Sequence, residues 1–480
     1  METRRLAGLE PASVFQYFED ICGIPHGSRN TKMISDYLVE FAKIHGLRYI
    51  QDEVDNVILF GEGTCGMENH APVILQGHMD MVCEKDADCN IDMEKEGLDL
   101  YHDEYRIGAK GTTLGGDDGI AVAFSLALLA DKSIPHPPLE VIITVDEEIG
   151  MLGADAIDLS MLKGRTLINL DSEEEGVFTV SCAGGTRATI SMPVERRTVY
   201  GPCIRLSVSG LQGGHSGAEI HKNRANANKV MGEFMSRIQK LMPLCLTSFA
   251  GGSKDNAIPR TCQATLVAMG IHLERINTIA QELEAEIKEK YDEPEVSIQA
   301  FDVDALGGNS LTTEATAQVI SLLCAIPNGV MAMSQDIEGL VQTSLNWGVA
   351  KLGDRFTVTS SVRSSVNREK EELLDRLKKM AEFYNATYSQ MGDYPAWEYK
   401  KDSKLRDTMV RIYQEMFQKD PEVVAIHAGL ECGLLGEKLP GLDCVSIGPQ
   451  MHNIHTSRET LEIASTERTW NFLLEVLKAL

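Results

Sequence analysis

The chain has 480 residues, 43% hydrophobic and 24% charged, an ordinary globular composition at a length beyond one typical domain. Its formal charge of −26, from 71 acidic and 45 basic residues, argues against a nucleic-acid partner, because a polyanion would be repelled. Eleven cysteines without a CxxC pair argue against a disulfide framework or a thiolate zinc site, and fit reduced thiols in the cytoplasm.

The N-terminal segment METRRLAGLEPASVFQYFEDICGIP has two arginines but no continuous apolar core before a small-residue cleavage site, so it does not read as a signal peptide. From there the apolar runs PVILQGHMDMV (Pro72 to Val82), LEVIITVDEE (Leu139 to Glu148) and TLINLD (Thr166 to Asp171) read as strands buried on both faces. Between the first two, GIAVAFSLALLADK reads as an apolar helix from about Gly119; its longest apolar stretch, Ile120 to Ala130, is too short to span a bilayer. The middle of the chain changes character. Arg205 to Ser209, Gln263 to Met269, Glu295 to Phe301 and Phe356 to Val362 alternate like strands of a flatter sheet. Amphipathic helices separate them at Ala225 to Leu241, Arg275 to Tyr291, Glu314 to Ala325 and Lys370 to Tyr384. Near the C-terminus PEVVAIHAGLECGLL and LDCVSIGP again read as strands, and a helix closes the chain from about Thr466 to Leu480. The expected fold is therefore α/β: a catalytic domain with a central mixed, mostly parallel sheet flanked by helices, interrupted by an inserted α+β lid domain. With junctions near Gly184-Gly185 and Gly392 to Pro395, the expected division is 1–185 and 395–480 for the catalytic domain and 186–394 for the lid.

Chemistry-bearing residues gather at the ends of the predicted strands. In His78-Met79-Asp80 the i and i+2 side chains share a face, so the carboxylate can accept a hydrogen bond from a ligating imidazole and fix its tautomer. In GTTLGGDDGIAVA, glycines bring backbone close around Asp117 and Asp118 before the helix; the segment lacks the GxxxxGK[ST] pattern of a nucleotide loop. ITVDEEIGMLGA ends a strand in Asp146, Glu147 and Glu148, where one glutamate can bind a metal while its neighbour holds a water. Asp171 follows its strand directly, whereas Glu173 to Glu175 read as a solvated turn. In GPQMHNIHTSRET, His452 or His455 can reach back from a loop. Taken singly, each of these could be a cap, a solvated acid or a surface histidine. Taken together they put His, Asp, Glu and Asp at strand ends and one more His on a loop, where open α/β sheets form their ligand crevice. Such oxygen and imidazole donors suit zinc, or manganese and cobalt in similar geometry. Two ions about 3.5–4 Å apart, bridged by a carboxylate, can share a hydroxide as nucleophile.

In this order QGHMDMV, TTLGGDDGIAVA, TVDEEIGMLGA, NLDSEEEG, GGHSG and HTSRE resemble the motifs of the aminoacyl-histidine dipeptidases, also called Xaa-His or cytosol non-specific dipeptidases. These belong to the wider aminoacylase and glutamate-carboxypeptidase group of di-zinc hydrolases. The resemblance covers nearly the whole chain. It implies that His78 and Asp171 bind one metal, Glu148 and His455 the other, and Asp117 both. It also implies that Asp80 orients His78 and that Glu147 is the general base for a metal-bridged water. Relatives commonly carry Asp-Asn where this chain has Asp117-Asp118, so the bridging role falls to Asp117 by alignment. By the same resemblance His215 in GLQGGHSG stabilises an oxyanion, and Asn256 in DNAIPR is a further lid group. Arg363 could hold the carboxylate of a dipeptide through a bidentate contact. His427 and Glu431 in HAGLECG are candidates for gripping the peptide or its ammonium.

The function expected is that of a metal-dependent dipeptidase acting on small peptides, Xaa-His dipeptides among them. Two divalent ions would be its cofactors, with zinc first and manganese or cobalt as alternatives. A homodimer and neither a membrane nor a nucleic-acid partner are expected. A tripeptidase or N-acyl amino acid deacylase could use the same scaffold. A non-catalytic binding protein would have no need of Glu147, and structural zinc sites are usually closed and thiolate-rich.

Overall fold

The computed structural model describes residues 4–268, 273–304 and 307–480; the first three residues, and Met269 at the end of one expected strand, lie outside these. The chain divides into two compact units. One comprises Met1–Ser181, Tyr399–Ala425 and Leu430–Leu480, and the other Cys182–Glu398 with the short return Ile426–Gly429. His427, inside the expected 395–480 segment, lies in the second unit.

The first unit is built on an eight-stranded sheet, in the order Arg48–Gln51, Val57–Gly61, Leu139–Thr144, Val73–His78, Thr166–Asn169, Asp443–Ser446, Val177–Cys182 and Glu422–Ile426. The sheet is mixed. Val73–His78 runs parallel to both Leu139–Thr144 and Thr166–Asn169, and Asp443–Ser446 runs parallel to Thr166–Asn169, while Val57–Gly61 is antiparallel to Leu139–Thr144. Every residue of Val73–His78 and of Leu139–Thr144 is buried, as continuous apolar runs in a doubly covered sheet require. The helix Gly116–Ala130 is buried all round except at Ala130, so no polar face fixes its rotation and apolar packing holds it. Its regular part starts after Asp118, because Asp117 (ψ 101°) and Asp118 (φ −123°) depart from helical geometry. Phe124 of this helix stacks on Trp470 of the closing helix Ile463–Ala479 with centroids 5.7 Å apart, a pair worth about 0.5–1.5 kcal/mol beyond burial.

One expected strand is overturned. PEVVAIHAGLECGLL is a strand only over Glu422–Ile426, and Glu431–Lys438 is a helix. A short buried apolar run fits either element, and Gly429 separates the two.

In the second unit a nine-stranded sheet runs in the order Ser297–Val303, Cys203–Ser209, Cys262–Ala268, Leu244–Gly251, Val341–Leu352, Arg355–Ser364, Gly184–Pro193 and Thr387–Tyr394, with Gly329–Met333 also paired to Val341–Leu352. The helices Ala227–Gln239, Leu273–Tyr291, Thr313–Ala325 and Asn367–Phe383 accompany it. Asn226 caps the first of these by accepting from the Asn228 and Lys229 amides, a contact typically worth about 1 kcal/mol. Phe249 and Phe356 meet edge-on at 5.4 Å in this unit's own core.

Candidate metal centre

The parallel strands of the first unit all deliver polar residues from their carboxyl ends. His78 is the last residue of Val73–His78, Asp171 follows Thr166–Asn169 after one leucine, and Glu147 and Glu148 follow Leu139–Thr144. Side chains that are far apart in sequence therefore converge, as at the ligand crevice of an open α/β sheet.

His78 Nε2 lies 3.1 Å from Asp117 Oδ1 and 3.5 Å from Asp171 Oδ1. His455 Nε2 lies 3.1 Å from Asp117 Oδ2 and 2.8 Å from Glu148 Oε1. Asp117 thus offers one oxygen to each histidine. Two sets of possible ligand atoms each fall within 4.8 Å, one from His78, Asp117 and Glu148, the other from His78, Asp118 and Asp171. Asp118 has a different environment from Asp117. It is fully buried beneath the strand, with Oδ2 accepting from the His78 amide at 3.2 Å, and its burial pushes its carboxyl well above the usual range. It supports the main chain at His78.

The electrostatics test whether cations suit this place. Among the described residues, the ion pairs of Asp117, Asp171 and Glu148 run to His78 and His455 and to no lysine or arginine. Burial works against charge on His78, yet Asp171, Asp117 and Asp80 outweigh it and hold the imidazole well above its ordinary range. Hydrogen bonds to Asp117 and Glu148 push His455 up to about 10. Both imidazoles are drawn to take protons because the carboxylates around them lack other positive charge. Three carboxylates and two imidazoles without a thiolate are donors that fit zinc, manganese or cobalt. His455 sits in the left-handed region with φ 59°, a conformation that costs energy for a residue with a side chain and marks the loop as built around the contact.

Asp80 differs in detail from expectation. His78 Nδ1 lies 2.9 Å from the Asp80 main-chain oxygen, whereas the Asp80 carboxylate is 3.6 Å away. That carboxylate instead accepts from Ser28 Oγ at 2.9 Å, from the Glu147 amide at 3.0 Å and from the Glu148 amide at 3.4 Å. Burial would raise it, but His78, the Glu147 amide and Ser28 leave it below the usual range. Asp80 therefore holds the turn that presents both glutamates. Burial pushes Glu147 well above the usual carboxylate range; His78 opposes this, and Asp171 and Glu431 add to it.

Glu431 is the candidate of the first unit for gripping the peptide or its ammonium. It is fully buried, with Oε2 accepting from Gln76 Nε2 at 2.5 Å and Thr144 Oγ1 at 2.6 Å, while Asn169 Nδ2 donates to Gln76 Oε1 at 2.6 Å. Burial first, then Asp171 and Asp80, raise its carboxyl to about 8. His452 pairs with Glu462 at 2.7 Å, which leaves His455 as the loop histidine of the centre. Glu175, read as part of a solvated turn, forms a two-pronged bond with Arg468 at 2.6 Å for each prong.

The other four candidates lie in the second unit, and three of them meet. A Cβ added at Gly217 would come within 2.7 Å of the His427 oxygen, 3.1 Å of His215 Cε1 and 3.3 Å of Arg363 Nε. His215 Nδ1 accepts from the amides of Gly217 and Ala218 at 3.2 and 3.1 Å, which leaves Nε2 to carry the proton as a donor. Arg363 Nη1 donates to Tyr394 OH at 3.1 Å, and its buried Nε has no partner. His427 Nε2 lies 2.7 Å from Ser344 Oγ; burial, then Arg363, lower its imidazole to about 4. Asn256 is exposed beside this group, its main-chain oxygen accepting from the Ser216 amide at 2.9 Å.

Sequence reasoning passed over Glu459. This nearly buried carboxylate accepts from four consecutive amides, those of Leu114, Gly115, Gly116 and Asp117, at 2.7, 3.1, 2.8 and 3.3 Å. The available signal was the unexplained pair of glycines before Asp117, which lay more than three hundred residues away from the partner they serve.

Residues 74–479 match the family described as Peptidase family M20/M25/M40. The chain is 36% identical over 478 residues, 98% of each chain, to the cytosol non-specific dipeptidase of Escherichia coli (strain K12). It is similar to the solved structure of aminoacylhistidine dipeptidase from Vibrio alginolyticus, with a TM-score of 0.93 and 35% identity over 99% of this chain and 98% of that one. The fold is also that of aminopeptidase PepT from Bacillus cereus ATCC 10987, with a TM-score of 0.57 at 14% identity over 98% of each chain. Among the described residues, no helix is long and apolar enough to cross a membrane.

Proposed function

The chain belongs to Peptidase family M20/M25/M40, and from that premise we propose that it is a metal-dependent dipeptidase acting on small peptides, dipeptides ending in histidine among them. The observation that carries the reading is Asp117, whose two oxygens each lie 3.1 Å from a different histidine in a nest of otherwise unneutralised carboxylates.

In this reading His78 and Asp171 would hold one ion, Glu148 and His455 would hold the other, and Asp117 would serve both. A pair of divalent ions, zinc first with manganese or cobalt as alternatives, supplies Lewis acidity and makes water acidic enough to react near neutral pH. Glu147 takes the proton of the attacking water and delivers it to the leaving amine; the raised affinity of its carboxyl for a proton suits a group that must hold one and then release it. Asp80 fixes the turn that presents Glu147. In the second unit, His215 donates from Nε2 to the developing oxyanion, Arg363 binds the substrate carboxylate with its unpartnered Nε, and Asn256 and His427 complete the substrate-binding group. The cytoplasm is the proposed compartment, supported by eleven cysteines of which none is disulfide-bonded and by the name of the Escherichia coli relative. The proposed assembly is a homodimer, which the motif resemblance implies.

The test is a panel of dipeptides, tripeptides and N-acyl amino acids, assayed with metal-free protein and after reconstitution with zinc, manganese or cobalt. The reading predicts no turnover without metal and preferred hydrolysis of free dipeptides with it. Undiminished activity in the metal-free protein overturns the metal reading, and cleavage of N-acyl substrates alone overturns the dipeptidase reading.

A further inference from the structure

We propose that Glu459 is the positioning residue of the metal centre: its buried carboxylate clamps the loop that carries Asp117 to the loop that carries His455. This rests on the proposed roles of Asp117 and His455.

The argument starts from backbone donors. Four consecutive N–H groups, from Leu114 to Asp117, converge on one carboxylate, two on each oxygen. Gly115 stands at φ 67°, and successive amides bent in this way form a concavity for an anion. Elsewhere such a concavity receives a phosphate, which is why this glycine-rich segment looks like a nucleotide loop. Here an internal carboxylate, 4% exposed, fills it. Gly116 permits the close approach, because a Cβ there would stand 3.2 Å from Glu459 Oε1.

The other end of the clamp is equally defined. Glu459 follows His455 by four residues, its amide closes a turn onto the Thr456 oxygen at 3.1 Å, and Thr460 enters the ladder opposite Gly108. The two clamped loops are the ones whose side chains meet at 3.1 Å, His455 Nε2 on Asp117 Oδ2. The hydrogen bonds of Glu459 run to backbone amides and to neither side chain. It sets the distance between their backbones, and with it the spacing of two proposed ligands that approach from opposite ends of the sequence.

Glu459→Gln keeps the shape but turns an amide N–H₂ toward two backbone donors that had shared an oxygen. Partners that orient metal ligands typically contribute roughly 10–100-fold to affinity or activity. The experiment measures zinc affinity by chelator competition, the visible spectrum of the cobalt-loaded protein, kcat and KM, and the melting temperature of the metal-free protein. Glu140→Gln is the control, because Glu140 is a buried glutamate that also accepts backbone amides, from Lys163 at 2.9 Å and Gly164 at 2.9 Å, without holding any proposed ligand loop. Expected for Glu459→Gln are a roughly 10–100-fold loss of zinc affinity, an altered cobalt spectrum and a fall in kcat at little-changed KM, with Glu140→Gln like wild type in all three. Wild-type affinity and an unchanged spectrum in Glu459→Gln overturn the inference. An equal loss in both variants does so too, since it makes the effect one of general stability. If Glu459→Gln does not fold, Gly116→Ala loosens the same clamp from the other side, and wild-type zinc affinity there overturns the inference. Failure of the wild-type chain to bind zinc at all would instead strike the metal reading on which the inference stands.

Discussion

Histidines meet opposite fates in the two units. In the first, carboxylates overcome burial and hold His78 well above its ordinary range, and they lift His455 to about 10. In the second, burial and then the Arg363 guanidinium lower His427 to about 4, and the same two causes lower His215. The side chain is the same and the surroundings decide. One region gathers negative charge around imidazoles, which suits cations. The other lowers its imidazoles beside a guanidinium with an unpartnered N–H, which suits the proposed carboxylate of the substrate.

The largest effect that sharpens this contrast falls within the adjacent glutamates of the first unit. Glu147→Gln should lower kcat roughly 10²–10⁴-fold while both metals stay bound, because an amide keeps the shape and loses the proton acceptor. Glu148→Gln should lose metal first, since its oxygen lies 2.8 Å from His455 Nε2. Metal analysis and kinetics on the two variants decide, and the reverse pattern would exchange their roles.

Next in size, His215→Ala should lower kcat roughly 10²–10³-fold with metal content unchanged, because an oxyanion donor matters only when charge develops. Mixing this inactive variant with inactive Glu147→Gln tests the proposed homodimer at the same time. Recovered activity in heterodimers would show a site shared between subunits, and its absence would keep His215 with its own chain's site or outside catalysis.

Arg363→Lys should raise KM for free dipeptides about tenfold and leave C-terminally amidated ones little affected, because lysine keeps the charge but loses the planar fork. Equal losses on both substrates would remove Arg363 from carboxylate recognition.

A further effect concerns stability, not turnover. His427 is neutral in the folded chain down to about pH 4, whereas the unfolded chain takes up this proton near pH 6.5. Its contribution is therefore fully present above about pH 6.5 and is lost as pH falls toward 4, at most about 3 kcal/mol. The stability difference between wild type and His427→Gln should shrink across that window. A difference independent of pH would mean that His427 is not held neutral.

The two regions were unequally legible in the sequence. The convergence of His78, Asp117, Glu148 and Asp171 was foreseeable because they sit at the ends of buried strands or beside a glycine-rich turn, whereas His455 comes from a loop that the motif resemblance alone singled out. Asp118 and Glu431 carry the same chemistry in sequence as Asp117 and Glu148, and only their partners, the His78 amide for Asp118 and Gln76 and Thr144 for Glu431, set them apart from the carboxylates that face the histidines. The strand-to-helix change at 427–431 was hidden because an apolar run of that length suits either element. Individual strands of the second unit were visible by alternation, but the order of its sheet depends on pairings such as Arg355–Ser364 with Gly184–Pro193, far apart in the chain. The role of Glu459 was hidden for the same reason: it closes the HTSRE segment, but its partners are backbone amides more than three hundred residues away, marked only by the glycine pair before Asp117.

The most direct test of the central claim is the number of divalent ions bound per chain, in wild type and in Asp117→Asn. The account predicts two in wild type and weakened binding of both in the variant, because each Asp117 oxygen faces a different histidine. One ion per chain, or an Asp117→Asn chain that holds two as tightly as wild type, would contradict it.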